Sequence, residues 1–477
     1  MGHEVLLTGY GVRTAFGTGP DALRAGVFDG SPTFAPITRF DPTPYRTDVA
    51  ATSAGSASLH EALTEVADAA AAMADLRPGT EATVLVGTAG DFTALTHFWR
   101  THPAPTGGVA DAADPPGGTT SAGTPGHEGP GGSPGHPGPA DSPGGTPLPG
   151  TPGGATPAAT FPDGTVPPGL RRGTASANSP GETGSPGSPG GAQGPRLGGA
   201  GVGAAAGAVE TVPAWQAGAL ADVLGARGPR LAFTNACVAS ATAVAYGCQL
   251  IASGRADIVI CAGAYLVEEE NLAKFGSGFA LSRDGMVRPF SADRSGLLLG
   301  DGAAAVVLES AASARRRGAR VLGALTGWGA ASDAHHIARP HPEGIGLVTA
   351  ARRALKRAGG PRVDYVNAHG TATKTNDPAE TRGLHTLFGA NAPHIPVSST
   401  KSTTGHLLEA AGVVELVITL LALRDGVLPP TAGFTDPDPA CDLDYVPNRP
   451  RKADIRRALS LNAAFGGANT ALLLERA

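Results

Sequence analysis

Residues 230–253 read RLAFTNACVASATAVAYGCQLIAS, and the pattern of this stretch changes at Cys237. The first seven residues favour a strand, and residues 238–253 favour a helix rich in small side chains. Cys237 therefore lies at a predicted strand-to-helix turn, where the dipole and the unpaired N–H groups of a helix lower the pKa of a thiol. This position is typical of a nucleophile. A small buried hydrophobic residue is the other interpretation of a free cysteine, and the turn alone leaves both open.

The other three cysteines have weaker claims. Cys248 lies in the same predicted helix, Cys261 in the strand DIVICAGA and Cys441 in an acidic loop. Their spacing indicates neither a disulfide framework nor a paired set of metal ligands. We expect none of them to be a second nucleophile.

Two histidines follow predicted strands in a similar way. Residues 363–380 read VDYVNAHGTATKTNDPAE, which predicts a strand running into His369. Residues 396–412 read PVSSTKSTTGHLLEAAG, in which His406 is predicted to open an apolar, buried helix. Neutral imidazoles held there could donate hydrogen bonds to a thioester carbonyl as it becomes an enolate, which suits decarboxylative carbon–carbon bond formation. Either histidine alone could instead make a capping or core hydrogen bond.

Other polar residues in these segments have structural interpretations as well. Asp377 and Glu380 fit a helix capping box, and Lys401 could be an exposed loop charge. Residues 333–344 read DAHHIARPHPEG, whose spacing and prolines indicate an irregular loop rather than a metal site. That loop holds His335, His336 and His341.

Length and charge limit the class of protein. At 477 residues the chain exceeds the size of one hydrophobic core, so two core-forming units are expected. A net charge of -5 disfavours binding to nucleic acid or to an anionic membrane. Residues 1–7 lack the features of a signal peptide, and the apolar stretch 411–423 is too short to span a bilayer and contains Glu415. These features predict a cytoplasmic protein.

The chain changes composition abruptly near residue 101. Of residues 101–200, 48 are Gly or Pro and Phe161 is the only aromatic residue, so this segment cannot bury a core. We expect residues 101–204 to be a disordered insertion. A docking or tethering module is the alternative, although the segment shows no amphipathic or aromatic anchor for a partner.

A short internal echo suggests a duplication. LLTGYG at 6–11 and ALTGWG at 324–329 each end an apolar strand with a glycine turn. Chance could produce so short an echo. If it is real, the chain consists of two related α/β halves, which we place at residues 1–315, carrying the nucleophile, and 316–477, carrying the histidines.

Four motifs in order resemble a known family. TNACVAS at 234–240, HGTATKTNDPAE at 369–380, SSTKSTTGHLLEAAG at 398–412 and LNAAFGGANTALLLE at 461–475 are similar to the β-ketoacyl-acyl carrier protein synthases, the elongating type within the thiolase superfamily. The resemblance covers nearly everything outside the insertion. It implies a five-layer αβαβα fold made of two pseudo-symmetric halves.

The resemblance also implies roles for individual residues. Cys237 would be the acylated nucleophile, His369 and His406 the decarboxylating pair, and Lys401 and Glu380 their supports. The backbone N–H groups of Cys237 and Phe465 would form the oxyanion hole, with Phe465 and Gly466 in the gate loop.

The implied reaction is a decarboxylative Claisen condensation with malonyl carrier protein, and it requires neither a cofactor nor a metal. An acyl carrier protein would deliver both substrates. The implied assembly is a homodimer, or a heterodimer with a chain-length-factor-like subunit.

Several residues of this chain differ from the family pattern. Ala464 and Asp301 stand where Gly and Glu are usual, which predicts altered gate motion, and Ala463 and Leu297 replace Phe, which suggests a reshaped acyl pocket. The altered gate and the insertion favour a polyketide pathway over fatty-acid synthesis. A non-catalytic chain-length factor usually lacks the nucleophile, so Cys237 argues against that alternative. A thiolase or an initiating synthase is a third alternative, which would require a second catalytic Cys or a Cys-His-Asn set. The paired histidines of HGT and TGH count against both.

Overall fold

The computed structural model describes residues 4–55, 58–93, 96 and 209–477. The predicted disordered or tethering insertion at 101–204 lies outside the described residues.

Most strands of the described chain belong to one large sheet. The strands are β1 Val5–Thr14, β2 Gly17–Thr18, β3 Ala35–Pro36, β4 Val49–Ala50, β5 Thr83–Gly87, β6 Arg230–Phe233, β7 Ile258–Tyr265, β8 Gly302–Ser310, β9 Gly323–Ser332, β10 Tyr365–Asn367, β11 Val397–Ser398, β12 Val427–Leu428, β13 Arg451–Lys452, β14 Arg457–Ala463 and β15 Ala468–Arg476. The α-helices are α1 Pro20–Leu23, α2 Leu59–Met73, α3 Pro213–Val223, α4 Ala239–Ala252, α5 Glu269–Ser277, α6 Ala311–Arg317, α7 Ile345–Arg357, α8 Asn376–Phe388, α9 Lys401–Thr404 and α10 Ala411–Asp425.

The sheet repeats one strand order twice. One run is β6-β5-β7-β8-β1 and the other is β11-β10-β14-β15-β9, and each follows the chain order 3-2-4-5-1 within its half. In both runs the first three strands are parallel, the fourth is antiparallel to the third, and the fifth is antiparallel to the fourth. The predicted pair of pseudo-symmetric halves is confirmed.

The sequence echo marks equivalent strands. A Cβ on Gly9 or Gly11 of β1 would lie 2.2 or 2.0 Å from a backbone carbonyl of α2, and a Cβ on Gly327 or Gly329 of β9 would lie 2.2 or 2.1 Å from one of α7. The glycines therefore let each first strand pack directly on the helix that follows it. Both strands also shift register at the equivalent threonine, Thr8 in β1 and Thr326 in β9. The division into residues 1–315 and 316–477 is our proposal for the limits of the two halves.

Two central helices lie between the halves. α4 and α10 each contact strands of both runs, while α2 and α3 cover the outer face of one run and α7 covers the outer face of the other. The helices approach closely because Gly412 has no side chain, and a Cβ there would lie 2.5 Å from the Cβ of Ala241. The Val413 N–H also donates to Ser240 Oγ at 3.1 Å. Since α4 follows β6 and α10 follows β11, the repeat brings the segments of Cys237 and His406 together.

Among the described residues, no helix combines the length and the apolar character needed to cross a membrane.

Candidate active site

Cys237 lies on a tight turn between β6 and α4. The strand ends at Phe233, three residues earlier than predicted, and a single 3₁₀ turn at Ala236–Val238 precedes the helix. Ala236 has φ 53°, in the left-handed region that residues with a side chain seldom adopt. This strained backbone turns the Cys237 side chain into the interior, where the residue is 5% exposed.

The protonation state of Cys237 differs from the expectation. Burial raises the pKa of the thiol to about 12, and the charge of Glu409 adds to this effect while Lys401 opposes it. The prediction of a lowered pKa is wrong, because desolvation of the buried thiol has the largest effect on its pKa. The Cys237 side chain is therefore a neutral thiol near pH 7.

The two histidines meet edge to face and line the same cavity as this thiol. Their ring centroids lie 5.5 Å apart at 84°, and both residues are buried. His369 follows β10, as predicted. His406 does not open a helix, because a 3₁₀ turn at Leu408–Ala410 intervenes and α10 begins at Ala411.

Both imidazoles are neutral at physiological pH. Burial and the positive charge of Lys401 hold the pKa of each histidine well below its usual range, and His406 lowers that of His369 further. A neutral imidazole carries one N–H and can donate a hydrogen bond to a carbonyl oxygen that gains negative charge. The site therefore provides two such donors.

Glu380 holds the loop of His369. Its carboxylate accepts the N–H of His369 at 2.8 Å and that of Gly370 at 2.7 Å. The prediction of a capping box at Asp377 and Glu380 is wrong. α8 begins at Asn376, and its N-cap residue makes no side-chain capping bond. Burial raises the pKa of Glu380 to about 7 despite these bonds.

Lys401 is part of a buried ion pair. It is 1% exposed, and its Nζ lies 2.5 Å from Glu415 Oε1. The Asn462 side chain donates to the other carboxylate oxygen of Glu415 at 2.6 Å. The exposed-loop interpretation of Lys401 is wrong. Sequence reasoning missed both partners, although a single Glu in an otherwise apolar helix was a usable signal.

The predicted gate loop lies close to His406, with Phe275 between them. Phe465 is 47% exposed and stacks on Phe275, with ring centroids 5.4 Å apart, and Phe275 contacts His406 edge-on at 6.5 Å. Gly466 has φ 81°, which explains a glycine there. Ala464 lies at φ -139°, an extended conformation in which its Cβ adds no strain.

A cavity of about 430 Å³ joins these groups. It is lined by the thiol, the two imidazoles and the predicted gate loop, namely Cys237, His369, His406, Ala464 and Phe465, and also by Ala463 and Leu297. Lys401 and Glu380 are buried and do not line the cavity. His336 also faces the cavity, and within the described part of the chain no group of three His, Cys, Asp or Glu side chains could hold a metal ion.

The duplicated sheet with a Cys–His–His centre between its halves defines an α/β protein of the thiolase-like class. Residues 192–314 match the family model of the "Beta-ketoacyl synthase, N-terminal domain", and residues 322–435 match the "Beta-ketoacyl synthase, C-terminal domain". The chain is 39% identical over 270 residues to nodulation protein E of Rhizobium meliloti, covering 56% of this chain and 67% of that one. The chain belongs to the β-ketoacyl synthase family.

Other relatives and solved structures agree. The chain is 40% identical to 3-oxoacyl-[acyl-carrier-protein] synthase 2 of Coxiella burnetii over 52% of this chain, and it spans 62% of that relative's length. The ishigamide ketosynthase/chain length factor matches with a TM-score of 0.75, 26% identity and full coverage of both chains. A β-ketoacyl synthase from Burkholderia phymatum shares the fold, with a TM-score of 0.74 at 23% identity and full coverage of both chains.

Proposed function

We propose that the protein is an elongating β-ketoacyl-acyl carrier protein synthase. The observation that carries this proposal is the convergence of Cys237, His369 and His406 on one cavity. A thiol can accept an acyl group, and two neutral imidazoles can stabilise the enolate that loss of CO2 produces.

The reaction has two stages. In the first, Cys237 loses its proton as its sulfur attacks the thioester of the acyl carrier protein, whose thiol leaves with a proton. In the second, malonyl carrier protein enters, and its C–CO2 bond breaks to give CO2 and an enolate held by His369 and His406. The enolate carbon then attacks the Cys237 thioester, which forms the β-ketoacyl carrier protein and expels the Cys237 thiolate. A proton taken up from solvent restores the thiol.

The remaining residues support these stages. Glu380 fixes the backbone of His369, and burial together with the charge of Lys401 keeps both imidazoles neutral. The backbone N–H groups of Cys237 and Phe465 supply the oxyanion hole for the tetrahedral intermediates.

Partners and location complete the proposal. An acyl carrier protein brings both substrates, and the solved ketosynthase/chain length factor that the chain resembles favours a dimer, homotypic or heterotypic. The product belongs to polyketide or fatty-acid synthesis. The four cysteines are free and buried, which suits the reducing cytoplasm.

Condensation tests the proposal directly. The purified protein is incubated with octanoyl carrier protein and malonyl carrier protein, and the products are measured by mass spectrometry. We expect a carrier-bound β-ketodecanoyl product and released CO2. Cys237→Ala should abolish the product, whereas Cys248→Ala, which removes a buried thiol of α4 outside the cavity, should retain it. Product formation by Cys237→Ala would overturn the proposal, and an inactive wild type would favour the chain-length-factor alternative.

A further inference from the structure

Asp301 joins distant segments of the chain just before β8. The residue is 1% exposed, and its Oδ1 accepts the Val267 N–H at 2.7 Å and Arg39 Nη1 at 2.8 Å. Its Oδ2 accepts the N–H and the hydroxyl of Ser53, both at 2.7 Å, and also Arg39 Nη2. Every partner of this carboxylate is a hydrogen-bond donor.

The backbone beside Asp301 leads to His406. Residues 298–301 are an extended segment, here called the ribbon, that hydrogen-bonds along both edges. On one edge the Ala51 N–H donates to the Leu299 carbonyl at 3.0 Å, and the Asp301 N–H donates to the Ala51 carbonyl at 2.8 Å. On the other edge, the His406 N–H donates to Leu298 at 2.7 Å, and Gly300 donates to the His406 carbonyl at 3.1 Å. Both backbone polar groups of His406 are therefore held by this ribbon.

The ribbon and the histidine segment cannot slide past each other freely. A Cβ on Gly300 would lie 1.9 Å from the Thr404 carbonyl oxygen, so the two backbones are in direct contact. In addition, His406 Nδ1 has no hydrogen-bond partner among the described side chains and backbone. The ring is therefore oriented by its backbone and by packing rather than by a hydrogen bond at Nδ1.

We propose that Asp301 is a positioning residue for His406. Its carboxylate ties the far edge of the ribbon to Arg39, Ser53 and Val267, and the ribbon in turn sets the backbone of the histidine. This inference rests on the proposed function, because the geometry of His406 matters for decarboxylation. Acylation of Cys237 does not depend on that geometry to the same degree.

Asp301→Asn tests the link with a small change of shape. In either orientation the new NH2 group faces at least two donors, which are Arg39 with Val267 on one side or Arg39 with Ser53 on the other. The ribbon must then shift. Because a displacement of about 1 Å can cost on the order of 100-fold in rate, we expect malonyl decarboxylation to fall at least about tenfold. Acylation of Cys237 should change by less than about threefold.

The other end of β8 provides a matched control. Glu309 is fully buried and pairs through both oxygens with Arg317, at 2.9 and 2.8 Å. Glu309→Gln therefore also damages a buried carboxylate–guanidinium pair, but at a site away from His406. We expect it to lower stability while leaving the ratio of decarboxylation to acylation unchanged.

Amide hydrogen exchange gives a readout that does not depend on activity. In Asp301→Asn, peptides that contain residues 298–301 and 404–408 should exchange faster than in the wild type, and in Glu309→Gln they should not. Unchanged exchange at 404–408 in Asp301→Asn would overturn the inference, as would an equal loss of decarboxylation and acylation. If the wild type does not decarboxylate malonyl carrier protein, the proposed function fails, and exchange alone decides the role of Asp301.

Discussion

The buried pair of Lys401 and Glu415 gives a quantitative prediction. Both side chains are at most 3% exposed, and Nζ and Oε1 are 2.5 Å apart. Lys401→Met leaves the carboxylate buried with Asn462 as its remaining partner among the described residues, and Glu415→Gln leaves the ammonium buried without its counter-charge. Removing one member of a buried pair costs about 3–5 kcal/mol, so each variant should lose roughly that amount of stability.

Urea unfolding followed by circular dichroism measures the loss. In the double variant Lys401→Met/Glu415→Gln no charge remains unpaired, so its cost should be at least about 2 kcal/mol below the sum of the single costs. Lys401→Met should also move the acidic limb of the decarboxylation rate to higher pH, because the Lys401 charge lowers the pKa of both histidines. Single costs below about 1 kcal/mol, with additivity in the double variant, would refute a buried, coupled pair.

Three further predictions follow from the protonation states. Because burial raises the pKa of Cys237 to about 12, its alkylation by iodoacetamide should speed up about tenfold per pH unit between pH 7 and 9, whereas a plateau near pH 8.5 would indicate an unshifted thiol. Because the histidine pKa values are lowered, protonation occurs only in more acidic solution, and the decarboxylation rate should stay flat from pH 8 through 6.5; a half-loss near 6.5 would contradict this. Burial raises the pKa of Glu380 from 4.5 to about 7, so the folded state binds this proton more tightly than the unfolded state. The free energy of unfolding should therefore fall as pH rises across that window. In urea titrations at pH 5 and 7.5, Glu380→Gln should show a smaller fall.

Local pattern was sufficient to predict the elements that carry the chemistry. A strand that ends in small residues before a helix located Cys237, and the glycine echo located two equivalent strands. These features depend on neighbours in sequence, or on a repeat that sequence comparison can detect. The strand and helix limits around Cys237 and His406 differed by a few residues because 3₁₀ turns replaced the predicted helix starts.

Long-range contacts set the features that the sequence did not predict. The pKa of Cys237 depends on its burial in the folded chain, and the hydrogen bonds of Glu380 go to a loop eleven residues earlier in the chain. The partners of Asp301 come from segments as distant as 262 residues. In the sequence alone, Glu380 and Asp301 are indistinguishable from ordinary polar residues, because their partners come together only in the fold.

The central claim is that Cys237 carries the acyl chain during condensation. Intact-mass spectrometry after incubation with octanoyl carrier protein, followed by peptide mapping, tests this claim most directly. We predict one octanoyl group per chain, located on Cys237, absent in Cys237→Ala and removed when malonyl carrier protein is added. An octanoyl group on another residue, or an adduct that persists in Cys237→Ala, would contradict it.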